Sequence, residues 1–242
     1  MLSKSQIKYI QSLGHKKFRD EEGLFIAEGP KIVKELLTET PQLVKTVYGI
    51  KEWIDENQSI PGKFDIIEIT ETELERISQL SAPNKVMAVL YKMKAEDLSS
   101  ANKITLALDT IQDPGNLGTI IRSADWFGVT QVVCSHNSAD MYNSKVVQAT
   151  MGSIARVKIM YADLALWLGQ QNVGIYAAAL EGTDIRKMSK LTEGVIIIGN
   201  ESKGIHADLL RPGVTKITIP KPGQAESLNA AVATAIILSH IV

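Results

Sequence analysis

The chain has 242 residues, 45% of them hydrophobic and 22% charged, with a formal net charge of −1. This balance excludes a disordered, collagen-like or low-complexity chain and leaves room for two modest domains. It also excludes whole-molecule attraction to nucleic acid, so any such partner must be held by local charge. Residues 1–34 supply a mild excess: Lys4, Lys8, Lys16, Lys17, Arg19, Lys31 and Lys34 against Asp20, Glu21, Glu22 and Glu28. Cys134 is the single cysteine, which excludes an internal disulfide and a cysteine-based metal site. The N-terminus has no apolar core of a secretory signal, and the longest near-apolar stretch, 230–238, is too short to span a bilayer. A soluble, cytoplasmic protein is expected.

Taken in chain order, residues 2–18 read as one amphipathic helical arm, with Ile7, Ile10 and Leu13 at helical spacing. Strands are expected at 24–27, 44–50, 65–70 and 86–91, with helices at 31–38 and 71–80 between them. Residues 92–103 are polar and break the alternation. The predicted division is a first domain over 1–94, a linker at 95–103 and a second domain over 104–242. The second domain reads as strand 104–109, helix 117–127, strand 131–134, strands 175–180, 195–198 and 215–219, and a last helix from Leu228. The expected class is α/β with a mostly parallel sheet, whose functional loops follow the carboxyl ends of strands.

Three of those loops carry the chemistry. In Asp113-Pro114-Gly115-Asn116, the turn leads into a helix that Asn116 is placed to cap. Gly118 and Arg122 share a face of that helix, and Gly128 is a left-handed stop. The second loop, Gly199-Asn200-Glu201-Ser202-Lys203-Gly204, follows a β-branched run. It is not a phosphate-binding loop, because Ile205-His206 stand where Lys and Ser/Thr are required. It half-matches a hydrolase nucleophile elbow at Ser202, but Asn200 replaces the first glycine and the partner order is wrong. In the third, Ile219-Pro220 ends a strand, Ser227 is the expected N-cap, and Asn229 falls in the first turn of an alanine-rich helix. That helix is apolar nearly all round, as a deep core element or a subunit interface would be. No dinucleotide fingerprint is present. His15, His136, His206 and His240 show no metal spacing, so metal-assisted chemistry is not expected.

The order D-P-G-N-x-G-x-x-x-R-x-A-x-x-F-G, I-I-x-G-N-E-x-x-G and I-P-…-S-L-N-x-x-x-A resembles the three motifs of the SpoU/TrmH branch of the SPOUT methyltransferases. The resemblance implies a C-terminal domain threaded into a deep trefoil knot, an exception to the usual absence of knots. The segment from Glu21 to Lys31, E-E-G-L-F-I-A-E-G-P-K, is similar to the small ribosomal-protein-like substrate-binding domain found ahead of such catalytic domains. The implied activity is methyl transfer from S-adenosylmethionine to a ribose 2′-hydroxyl of structured RNA, ribosomal rather than transfer RNA, by a homodimer. Carried over by residue, Asn116, Arg122, Glu201, Ser227 and Asn229 surround the transferred methyl and the target ribose. Gly199, Glu201, Gly204, Ile219, Ser227 and Leu228 hold the cofactor.

Lys16, Lys17 and Arg19 in the arm, with Lys203 and Lys221 beside the site, are the candidate RNA contacts. The family assigns proton removal to the arginine at position 122, but a guanidinium stays charged. Gripping a phosphate or stabilising alkoxide charge is the physically easier role. The competing readings are a transfer-RNA methyltransferase, a non-catalytic RNA-binding protein on the same fold, and the hydrolase.

Overall fold

The structure is a computed structural model that describes residues 1–57, 62–94 and 96–242. Two compact units divide the chain: Met1–Lys94 with Asp140–Ala155, and Ala95–Ala139 with Arg156–Val242.

The first unit begins with α1 (Lys4–Ser12), opened by a reciprocal capping box between Ser3 and Gln6. The arm is two helices, not one: the chain turns at Leu13–His15 before α2 (Lys16–Glu22), which stops at left-handed Gly23. Then follow β1 (Leu24–Glu28), α3 (Pro30–Glu39), β2 (Val44–Gly49), α4 (Lys51–Glu56), β3 (Asp65–Glu68), α5 (Glu71–Ile77) and β4 (Val86–Tyr91). The sheet order is β1-β4-β2-β3, antiparallel except for the β2–β3 pair. Ile7, Ile10 and Leu13 bury into a core with Leu24, Ile26, Leu74, Ile77, Met87 and Val89, so the arm is part of the body.

The sequence places Asp140–Ala155 in the second domain, yet this segment, with α7 (Ser144–Thr150), packs in the first unit. The Tyr142 ring lies 4.9 Å from that of Phe25, and its hydroxyl accepts from the Met93 amide at 2.9 Å. Burial pushes the Tyr142 hydroxyl up to about 12. Asp140 takes a 2.6 Å ion pair from Arg19, whose guanidinium also donates to the carbonyls of Leu13 and Gly14. Arg19 is 2% exposed, which removes it from the expected RNA-binding patch.

In the second unit come β5 (Ile104–Leu108), α6 (Pro114–Trp126), β6 (Gln131–Ser135), β7 (Lys158–Ala162) and α8 (Leu164–Gly169). They are followed by β8 (Ile175–Asp184), β9 (Gly194–Ile198), β10 (Val214–Thr218) and α9 (Ala230–Ile241). The sheet order is β10-β8-β9-β5-β6-β7, and all its pairings are parallel. Ala107, Val133, Val195 and Ile197 face Trp167, Leu168 and Leu209. Alternation sends Leu106, Leu108, Val132, Ile196 and Ile198 to the opposite face. The step from β5 to β6 and the step from β7 to β8 run in opposite directions along the sheet. Right-handed crossovers therefore set α6 and α8 on opposite faces. The chain order reverses about β5, whose neighbours are β6 and β9, and at such a switch point a crevice opens at the strands' carboxyl ends. Cys134 is fully buried, and burial alone pushes its thiol up to about 12, far from the range of a nucleophile.

Candidate functional site

Leu108 and Ile198 pair at the carboxyl ends of β5 and β9, so the residues after each strand emerge side by side. After β5, Asp113 is the N-cap of α6: its carboxylate accepts from the Asn116 amide at 2.8 Å, and Pro114 takes the first helical position. Asn116 is therefore not the cap expected from the sequence. Its side chain is released to make other bonds. Its Nδ2 donates to Glu201 Oε1 at 2.5 Å, and its Oδ1 accepts from Asn229 Nδ2 at 2.8 Å.

Asn229, in turn, is the N-cap of α9. Its Oδ1 accepts from the backbone N–H groups of Ala231 at 2.9 Å and Val232 at 3.2 Å. Ser227, the expected cap, lies two residues before this point in exposed, irregular chain. Both residue types can cap a helix, and the one that also finds Asn116 takes the position. The two backbone donors fix the orientation of the Asn229 amide, so its nitrogen must face Asn116. Asn116 then has its own nitrogen toward Glu201, which only accepts. One directed chain of hydrogen bonds thus joins the loop after β9, the start of α6 and the start of α9.

The loop after β9 is a tight hairpin. Asn200 and Gly204 exchange backbone hydrogen bonds at 3.1 and 2.8 Å, with Gly204 left-handed at φ +68°. The Asn200 side-chain Oδ1 accepts from the Ser202 and Lys203 amides, and its Nδ2 donates to the Thr110 carbonyl at 3.0 Å. A Cβ on Gly199 would stand 2.4 Å from the Gly204 backbone, so only glycine admits this closure. Thr110 is itself left-handed at φ +58°, held by the Ser135 hydroxyl and the Asp109 carboxylate. Asn200, Thr110 and Asp109 escape a sequence reading that looks for chemistry alone. The available signal was an acidic residue ending an apolar strand, where a buried charge needs partners.

The other expected residues stand apart from this network. Arg122 is exposed on α6 and, among the described residues, its side chain has no hydrogen bond or ion pair. Gly118 is buried, so it serves the packing of α6 rather than an approach to the arginine. Ile219 is half-buried just beyond β10, while Ser227, Leu228, Lys203 and Lys221 are exposed. In the first unit Lys16 and Lys17 are exposed, with Lys17 3.8 Å from Glu21. Among the described residues no group of three or more His, Cys, Asp or Glu is placed to hold a metal ion. No described helix is long and apolar enough to cross a membrane.

A wholly parallel α/β sheet whose loops are tied together by side chains at the switch point defines the doubly wound class, in which ligands bind at the strands' carboxyl ends. Residues 103–239 match the SpoU rRNA Methylase family, and residues 4–88 match the MRM3-like substrate binding domain. The chain belongs to the SpoU rRNA methylase family and is an S-adenosylmethionine-dependent RNA methyltransferase. It is 31% identical to the 23S rRNA (guanosine(2553)-2′-O)-methyltransferase RlmP of Bacillus subtilis (strain 168), over 98% of this chain and 95% of that one. A TrmH-family protein from Porphyromonas gingivalis superposes with a TM-score of 0.88 at 35% identity, covering 99% of this chain and 98% of the other. An AdoMet-bound rRNA methyltransferase from Sinorhizobium meliloti gives 0.86 at 31% identity, covering 99% and 95%.

Proposed function

We propose that this enzyme methylates a ribose 2′-hydroxyl of ribosomal RNA, with S-adenosylmethionine held by the loops after β9 and β10. The observation that carries the reading is the directed bond chain Glu201–Asn116–Asn229, which joins all three motif segments at the strand ends. The residues present suit the cofactor. Glu201 offers a carboxylate to a molecule that carries a sulfonium and an ammonium, and nothing lies within 4 Å of a Cβ position on Gly204, leaving that part of the loop open. Gly199, Glu201, Gly204, Ile219, Ser227 and Leu228 form the cofactor side. The bound sulfonium supplies an activated methyl group.

The protein's task is then alignment and charge. Asn116 and Asn229 set the position of Glu201 and of the start of α9, so the acceptor hydroxyl is presented in line. Arg122, exposed and unpaired among the described residues, grips the RNA phosphate and stabilises the developing alkoxide. A permanently charged guanidinium does not remove the proton itself; the RNA phosphate it grips takes the 2′-hydroxyl proton as the O–CH3 bond forms and the S–CH3 bond breaks. Ser227 completes the ribose contacts. Lys16, Lys17, Lys203 and Lys221 contribute salt-sensitive phosphate contacts. We assign the enzyme to the cytoplasm, with its RNA.

The unit of function is a homodimer. Trp126 on α6 is 84% exposed and Val232 on α9 is 49% exposed, apolar surface that an isolated subunit would leave in water. The trefoil knot implied by the motifs belongs to the same reading, threaded through the segments that precede α9. Incubation with methyl-labelled S-adenosylmethionine and ribosomal RNA should label a single ribose, mapped by its resistance to alkaline cleavage. Labelling of transfer RNA alone would reassign the substrate, and no transfer to any RNA would overturn the reading.

A further inference from the structure

Asp109 is not among the residues given a role above, yet its carboxylate, 4% exposed at the end of the central strand β5, has three donors. The His206 backbone N–H lies 2.8 Å from Oδ2, the His206 Nδ1 lies 2.8 and 3.0 Å from the two oxygens, and the Thr110 hydroxyl lies 2.9 Å from Oδ1. A carboxylate only accepts, so Nδ1 carries the proton. His206 stands two residues beyond Gly204, where the hairpin closes, and its ring is 55% exposed, so it does not serve the core. The other end of the hairpin is tied by Asn200 to the carbonyl of Thr110, the residue next to Asp109. The hairpin is thus fastened at both ends to one dipeptide, Asp109-Thr110.

We infer that Asp109 and His206 are positioning residues for S-adenosylmethionine binding, acting through the hairpin they anchor. The inference rests on the assignment of that hairpin to the cofactor. Its physical basis is preorganisation: a loop held in its binding geometry loses less freedom when the ligand arrives. Releasing one end returns that cost to the binding step and leaves the transfer step, set by Arg122 and the asparagines, as it was.

The test is cofactor titration by calorimetry on the full chain, with melting temperature and steady-state kinetics alongside. His206→Ala should weaken S-adenosylmethionine binding about tenfold, equivalent to about 1.4 kcal/mol. Melting temperature should fall by a few degrees at most, because the Asp109 carboxylate keeps the His206 backbone N–H and the Thr110 hydroxyl, and kcat at saturating cofactor should be unchanged. His206→Asn should restore affinity, because its amide nitrogen stands where Nδ1 stood. His206→Gln, whose amide reaches past that point, should not. Wild-type affinity in His206→Ala, or equal weakness in the Asn, Gln and Ala variants, would overturn the inference. Gly199→Ala, which forces a Cβ against the Gly204 backbone, separates the two levels. If it weakens binding while His206→Ala does not, only the anchoring role fails. If it too binds normally, the cofactor assignment of the hairpin fails with it.

Discussion

The loops after β9 and β10 sit at the same end of one sheet and are built in opposite ways. In the first, Asn200 alone satisfies two backbone amides and a carbonyl, and Asp109 holds the exit. In the second, every residue from Lys221 to Asn229 is exposed, and among the described residues none from Lys221 to Leu228 makes a hydrogen bond. The difference teaches where order is present before ligands arrive. A bolted hairpin receives a small molecule with little loss of entropy, whereas the open segment must be ordered by what binds it, RNA or a second subunit. Asn229 marks the boundary between the two regimes: fixed by α9 on one side, it is the last anchored residue of the open segment.

The largest expected effect breaks neither loop. Arg122→Ala should lower kcat by about 10²–10³-fold, the scale of losing one transition-state charge contact. Cofactor affinity and melting temperature should stay at wild type, because no described partner depends on the guanidinium. A fall in cofactor affinity would show that the arginine belongs to the preformed side after all. Next comes the link itself. Asn229→Asp keeps the capping oxygen, since Asp and Asn cap about equally well. It cannot donate to Asn116, and turning the Asn116 amide to suit it would set an oxygen against Glu201. Activity should therefore fall at least about tenfold, the cost of one misdirected hydrogen bond near 1.4 kcal/mol, with the melting temperature retained. Asn229→Ala should lose the same activity and about 1 kcal/mol of stability as well. Equal loss of stability in both variants would reduce Asn229 to a cap.

The sequence made the alternating elements of both sheets legible, because strand runs such as Val195–Ile198 and the helix before Gly128 have the right period and the right stop. It missed one strand, β7 (Lys158–Ala162), and the helices α4, α7 and α8, of six, seven and six residues, since a helix of two turns offers too few positions to show a period. At the site, the three motif segments were legible, but which side chain meets which was not. Ser227 and Asn229 are both good caps, and only Asn116, 113 residues away, decides between them. Arg19 reads as surface in a lysine-rich arm, and its burial is decided by Asp140, 121 residues on. Tertiary partners at such separations leave no periodic trace.

The smallest expected effect supplies the control that makes those losses local. Glu28 in the first unit is buried, and burial holds its carboxyl above the ordinary value of 4.5, with Ser78 and the Gln79 amide offsetting only part of the shift. A raised folded value means that, from the ordinary range up to that value, the folded state binds more protons than the unfolded one. Stability therefore falls as pH rises through that window and stays lower above it. Glu28→Gln removes the titration, keeps an acceptor for the Gln79 amide and can donate to the Ser78 hydroxyl. Its melting temperature should match wild type near pH 4 and exceed it at pH 7, at about 2–4 °C for each kcal/mol regained. Methyl transfer at pH 7 should be unchanged. If transfer rose with the melting temperature, activity would be tracking global stability, and the loss in Asn229→Asp could no longer be read as a broken link between the two loops.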